Sequence, residues 1–343
     1  VRLRNIYVVS VGGLHMGAAM PSWVRDAPCR RARPARRRPA PKARADGVVY
    51  YGSADGHGGP ANTAHAHGGT PRAIQNRAIH HVKLVFIGDI VGKPGRRAVQ
   101  QCVPRLRALY DPLDAVIANA ENAAGGRGLT AKIAKELTGY GVDFMTTGNH
   151  VWDQKQFLTE IDGIPNVVRP LNVPDGTPGS GSATFETRSG IRVGVVNLAG
   201  SLFMNYDSPF PAALPTVRAL GEEADVVVVD MHAEATSEKV AMGWHLDGHA
   251  ALVVGTHTHV QTADERVLPK GCAYITDLGM TGSHDSVIGV GVDMVLQKFL
   301  TQLPAKFEVA TENVQLCGVY VEIDEGAGRA TSIERLRISC EDE

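Results

Sequence analysis

From Val82 onward, short apolar runs alternate with segments of helical period, and this alternation limits the chain to a small set of folds. "VKLVFIG", "DAVIANA" and "VDFMTTGN" read as strands. Between them, "PGRRAVQQCVPRLRALY" and "TAKIAKELTGYG" read as helices, with Pro94 suited to a first turn. "DQKQFLTEID" follows as a helix capped by Asp153. "SATFETRSGIRVGVVNL" reads as a hairpin turning at Ser189-Gly190. "DVVVVDMHAEA" and "AALVVGTHTH" read as buried strands, and "VDMVLQKFLTQL" as a late helix. "VQLCGVYVEID" and "ATSIERLRIS" close the chain as half-exposed strands. The order βαβαβα, then antiparallel strands, is that of an α/β protein with helices covering a mixed sheet or two sheets.

Five of these strands are each followed by a residue able to bind a cation. The first gives Asp89, the second Glu121 and Asn122, the third Asn149 and His150. "DMHAEA" gives His232, and "GTHTHVQTAD" gives His257 and His259. If that last stretch stays extended, side chains at i and i+2 point the same way. The carboxyl ends of the strands are also where open α/β sheets keep their sites. Seven histidines lie beyond residue 81, and four of them belong to this set. His245, His249 and His284 do not, and a structural role is expected for them.

Imidazole with carboxylate suits manganese, iron or zinc, and the lack of thiolates argues against a structural zinc site. Two carboxylates, two amides and four imidazoles exceed the needs of one ion; they fit two ions sharing a carboxylate. Paired ions clamp the attacking and leaving oxygens of an in-line displacement at phosphorus. Such chemistry also needs an acid for the departing alkoxide. The plainer alternatives are that Asp89 caps a helix and that Asn122 and Asn149 hold turns. Arg127, in "AGGRGLT", is a candidate phosphate contact or a solvated loop residue. Glu234 and Glu238, in "HAEATSEK", either orient the histidines or start a helix.

The segments "FIGDIVGKPGR", "AENAAGGRGLT", "TGNHVWD", "HAEATSEK", "GTHTHVQTAD" and "YITDLGMTG" resemble the calcineurin-like metallophosphoesterases. Within them the likeness is to the bacterial 2′,3′-cyclic-nucleotide 2′-phosphodiesterases of YmdB type, from about Val82 to about Ser339. The resemblance implies a four-layer α/β/β/α metallophosphoesterase sandwich with mixed sheets and a di-iron or di-manganese centre. It implies that Asp89, Asn122 and His259 bind one metal, that Asn149, His232 and His257 bind the other, and that Glu121 bridges them. His150 would donate the proton to the leaving oxygen. The broad superfamily has Asp-x-His at its first motif, where this chain has Asp89-Ile90-Val91; Asn122 fills that gap. The implied reaction is attack of a bridging hydroxide on phosphorus, opening a 2′,3′-cyclic nucleotide to the 3′-nucleotide, with 3′,5′-cyclic nucleotides as candidate further substrates. A phosphomonoesterase or nuclease on the same metal core stays open.

The 343 residues carry a net charge of −1, but its distribution is uneven. Residues 1–81 hold 13 Lys/Arg against 3 Asp/Glu, most of them in "RDAPCRRARPARRRPAPKAR". Pro, Ala and Arg dominate this stretch without an apolar period, which predicts a disordered basic extension ahead of a single domain at 82–343. Such an extension raises a regulatory alternative, an RNA- or partner-binding protein with a residual metal site. Val1 in place of Met points to conceptual translation from an alternative start codon, and Val82 is a second such start. We expect the native protein to begin near Val82, which the intact mass of protein from its own source tests. Five scattered cysteines without C-x-x-C fit a reducing cytoplasm. No apolar run is long enough to span a membrane. The expected partner is a cyclic nucleotide, and a homo-oligomer stays open.

Overall fold

The computed structural model describes residues 81–340. The extension expected at the N-terminus, with its RNA-binding and start-site readings, lies outside the described residues apart from His81. The first half of the described chain runs β1 (His81–Ile87), β2 (Asp89–Ile90), α1 (Gly92–Leu109), β3 (Ala115–Asn119), α2 (Ala131–Gly139), β4 (Phe144–Thr146), α3 (Phe157–Glu160) and β5 (Val167–Val168). It continues through β6 (Ser182–Glu186), β7 (Arg192–Ala199), α4 (Phe210–Glu223), β8 (Val226–His232), α5 (Thr236–Leu246), β9 (Leu252–Thr256), β10 (Arg266–Val267) and β11 (Ala273–Ile275). It closes with β12 (Met280–Ser283), α6 (Val292–Thr301), β13 (Val314–Asp324) and β14 (Arg329–Ser339).

The strands form two sheets. One has the order β2-β12-β13-β1-β3-β4-β5, with β14 on β13; the other has the order β10-β11-β9-β8-β7-β6. Strands β1, β3, β4 and β5 pair in parallel, as do β7, β8, β9 and β11. The two closing strands return to the first sheet antiparallel, β13 against β1 and β14 against β13.

Strand parity explains the layering. Leu84, Phe86, Ala115, Ile117, Val226, Val228, Leu252 and Val254 fill the seam between the sheets. Their neighbours Val85, Ile87, Val116 and Ala118 face outward and pack on α1 and α2. On the other side Val227, Val229, Met231 and Val253 pack on α4 and α5. The result is the four-layer α/β/β/α sandwich. Buried strands of this kind read as continuous apolar runs because both faces are covered.

Three local expectations are corrected. Only Phe157–Glu160 of "DQKQFLTEID" is α-helical, and Asp153 caps nothing there: its carboxylate takes the Nδ1 of His150 instead. Helix α4 was not expected: Pro211 suits its first turn, but Pro215 lies inside it and breaks the sequence signal, whereas α5 has Glu238 in its first turn, the helix-start reading of that residue. Strand β9 stops at Thr256, so His257 and His259 do not lie on an extended strand. Among the described residues no helix is long and apolar enough to cross a membrane.

Candidate metal centre

At the carboxyl end of the parallel strands the apolar seam gives way to polar side chains, by the same parity. Asn119, Thr146, Asp230 and Thr256 continue the inward faces of β3, β4, β8 and β9, and all four are fully buried. The Asp230 carboxylate accepts from Thr256 Oγ1 at 2.7 Å and, on its other oxygen, from Asn119 Nδ2 and Thr146 Oγ1. Thr256 Oγ1 also lies 2.8 Å from Nδ1 of His232, the last residue of β8. A buried carboxylate thus stands behind this imidazole and fixes its orientation.

In front of that layer the expected residues converge. Nε2 of His232 has Asn149 Oδ1 at 2.9 Å, Glu121 Oε1 at 3.1 Å and His257 Nδ1 at 3.1 Å. Beside this group, His259 Nε2 lies 3.1 Å from Asn122 Nδ2 and 3.8 Å from Asp89 Oδ1. Glu121 Oε1 joins the two groups, accepting from Asn122 Nδ2 at 3.0 Å. The ligand atoms of Glu121, His232 and His257 all lie within 4.8 Å of one another. The alternative roles fail: α1 has no side-chain cap, and the side chains of Asn122 and Asn149 face the cluster.

The donor chemistry fits metal ions. One hydrogen on His232 Nε2 cannot satisfy three surrounding lone-pair atoms, whereas a cation can. Asp89 Oδ1 is buried without a hydrogen-bond partner, a costly state for a carboxylate oxygen. Turning the Asn122 amide by half a rotation brings its oxygen to the place of Nδ2. The outer nitrogens of the imidazoles are already held, as is usual for metal-binding histidines. His257 Nε2 lies 3.1 Å from Glu234 Oε2, and His259 Nδ1 lies 2.9 Å from the Ile288 carbonyl.

Electrostatics reflect the crowding. Burial lifts the Asp89 carboxyl to about 6, against the opposing pull of His259 and His232. Burial works against the charge on Glu121 as well, but His232 and His150 outweigh it and hold this carboxyl at about 2. His232 is the counterpart: burial disfavours its charge, yet Glu121, Asp89 and Asp230 push it up to about 9. Burial and then the neighbouring His232 press His257 down to about 3.

The backbone is shaped for this approach. His257 and His259 both have positive φ, 97° and 65°. Such conformations are rare outside glycine and cluster at functional sites. The turn is held by Asp277, which accepts from Thr258 N at 3.2 Å and Thr258 Oγ1 at 2.7 Å and pairs with buried Lys239 at 2.6 Å. Asp89 Oδ2 takes the His257 N–H at 3.2 Å. These bonds, rather than an extended strand, bring the two imidazoles to one side.

His150 stands apart from the donor set but faces the same cavity, about 300 Å³, lined also by Glu121, Asn122, Arg127, His257 and His259. A larger cavity of about 570 Å³, between α1 and β13, contains none of these residues. His150 Nδ1 lies 3.0 Å from Asp153 Oδ2, and its backbone N–H donates to Glu121 Oε2. Arg127 is exposed at the cavity lining. Glu234 orients His257, whereas Glu238 binds the backbone N–H groups of Ser201 and Leu202 and touches no histidine. His284 contacts Met280 O and Cys317, and His245 packs on Phe210. Asp230, Lys239 and Asp277 were missed. The signal for Asp230 was present: a charge inside a valine run, two residues before His232 and so on its face.

Comparison with known proteins agrees with this architecture. The chain is 47% identical over 259 residues to the 2′,3′-cyclic-nucleotide 2′-phosphodiesterase of Bacillus subtilis, which covers 75% of this chain and 97% of that protein. Among solved structures, a hypothetical protein from Thermus thermophilus is 42% identical with a TM-score of 0.69, covering 76% of this chain and all of that one. A phosphatase from Mycoplasma pneumoniae is 36% identical with a TM-score of 0.71, covering 77% of this chain and 96% of that one. The family model described as YmdB-like protein matches residues 85–336, and the chain belongs to that family.

Proposed function

We propose that this protein is a metal-dependent phosphodiesterase that hydrolyses 2′,3′-cyclic nucleotides to 3′-nucleotides. The observation that carries the reading is the convergence of Asp89, Glu121, Asn122, Asn149, His232, His257 and His259 in one cluster, of which Glu121, Asn122, His257 and His259 line a cavity together with His150. It is supported by the name of the Bacillus relative.

Asp89, Asn122 and His259 would hold one ion, and Asn149, His232 and His257 a second, with Glu121 placed within reach of both groups. A donor set of oxygen and imidazole nitrogen without thiolate favours iron or manganese. When bound, the ions supply Lewis acidity at the phosphoryl group and lower the pKa of water into the neutral range. The remaining work falls to the chain. His150, outside the donor set, would pass its Nε2 proton to the 2′-oxygen as an oxygen from water bonds to phosphorus and the P–O2′ bond breaks. Asp153 keeps the ring oriented through Nδ1 and stabilises the imidazolium that donates. Arg127 lines the cavity and offers a guanidinium to the phosphate. Val91, Ile288, Val290 and Val309 line its apolar part and limit water. A cavity of about 300 Å³ at the cluster suits the phosphate and ribose of a small diester better than a polymer.

Metal analysis of the purified protein, with an assay of 2′,3′-cyclic AMP and identification of the product, tests the reading. About two iron or manganese ions per chain and 3′-AMP as product are expected. Two ions with release of phosphate from monoesters only would replace it by the phosphomonoesterase reading. No ions and no hydrolysis would overturn it.

A further inference from the structure

A second cavity, of about 390 Å³, adjoins the turn that carries His150. His150 lines the metal-site cavity, and Trp152, two residues on, lines this one together with Asn205 and Tyr206. The rest of its lining comes from Asn172, Val173, Pro174 and Thr177 and from the loop between β7 and α4. That loop starts beside the cluster, because Ala199 pairs with His232 across the sheet and Gly200 N donates to His232 O at 2.9 Å.

Two buried side chains fix the loop at its ends. Glu238 accepts from Ser201 N at 2.9 Å, Ser201 Oγ at 2.7 Å and Leu202 N at 3.1 Å. Asn172 donates to Ala199 O at 2.8 Å and Asp207 O at 2.6 Å, and accepts from Ala199 N at 2.9 Å. Between these anchors stands Phe203, 89% exposed and with φ 65°. A bulky residue at positive φ costs free energy, and an exposed phenyl ring returns none by burial. The Tyr206 phenol is pushed up to about 12, first by burial and then by the carboxylates of Glu121 and Asp153. Loop and turn therefore bring Trp152 and Tyr206 to one cavity, with Phe203 exposed on the same loop three residues before Tyr206.

We infer that Trp152, Phe203 and Tyr206 form the subsite for the nucleobase, which stacks on these rings while the cyclic phosphate occupies the metal cavity. Stacking tolerates every base, since each has a π face, so the subsite favours nucleosides over simple esters without choosing strongly among bases. Asn205, with an amide donor and acceptor at the cavity, is the residue able to read a base edge. The inference rests on the phosphodiesterase reading for its substrate.

The test compares 2′,3′-cyclic AMP with methyl riboside 2′,3′-cyclic phosphate, which lacks the base, on the metal-loaded protein. Phe203→Ala removes a ring with no packing inside the protein, so its fold is safe. Tyr206→Ala and Tyr206→Phe complete the set. Each alanine variant should raise KM for cyclic AMP about 10-fold, the scale of one stacked base. The loss on the base-free diester should be several-fold smaller, and Tyr206→Phe should retain near wild-type KM. Equal losses on both diesters, or none on either, would overturn the subsite. Calorimetric binding of 3′-AMP separates this from the activity. Binding weakened by Phe203→Ala in a protein that hydrolyses neither diester keeps the subsite and removes the reaction. Binding unchanged in both alanine variants overturns the subsite.

Discussion

Gly148 lies so close to His232 that a Cβ added there would stand 2.3 Å from its Nε2 and 2.2 Å from Glu121 Oε2. No side-chain atom fits at that distance, and neither neighbour can give way without leaving the cluster. Gly148→Ala is therefore expected to displace His232 and Glu121 together. Metal content should fall well below the wild-type value and turnover with it, while the far-ultraviolet spectrum stays unchanged. Full metal occupancy in this variant would show that the cluster does not depend on this approach.

His150 and Asp153 form a pair that Gly148 does not touch. His150→Ala should lower kcat on 2′,3′-cyclic AMP by about 10²–10⁴-fold, the range of a general acid, with metal retained. Asp153→Asn should give a smaller loss, about 10-fold, with KM little changed. A diester with a p-nitrophenolate leaving group needs no protonation, so both variants should lose much less on it. A loss of the same size on both kinds of leaving group would remove the acid role.

Behind His232, Thr256 links the imidazole to Asp230. Thr256→Val keeps the shape and deletes the hydroxyl. Ligands whose outer nitrogen loses its partner bind metal about 10–100-fold more weakly. Metal titration of the variant should show that weakening, and an unaltered affinity would mean that Asp230 has no part in orienting His232.

Much of this was legible in the sequence, for a physical reason. Parallel strands buried on both faces announce themselves as apolar runs, and their ends fall at Asp89, Glu121, His150 and His232 without knowledge of the pairing. Asp230 was legible too, by parity with His232. What could not be read are the relations made through space. The positive φ of His257 and His259 follows from Asp89 and Asp277, which are far away in sequence. The sequence of α4 hides its helix behind the interior Pro215, and the aromatic loop before it has no periodic pattern. Asp153 looks like a cap until His150 is placed beside it.

Lys239 and Asp277 supply the last prediction. Both side chains are buried, and Nζ lies 2.6 Å from Oδ2. The same carboxylate holds Thr258, and its other oxygen accepts from Gly279 N at 2.8 Å, so it fastens the His257–His259 turn from below. Lys239→Met matches the length of the side chain and leaves the carboxylate charged without its counter-ion. Breaking a buried pair from one side costs about 3–5 kcal/mol. The double variant Lys239→Met with Asp277→Asn removes both charges and keeps an acceptor for Thr258, so it should recover more than half of that loss in denaturant titrations. If the double variant is as unstable as the single one, the cost is one of packing and the charge pair is not what holds the turn.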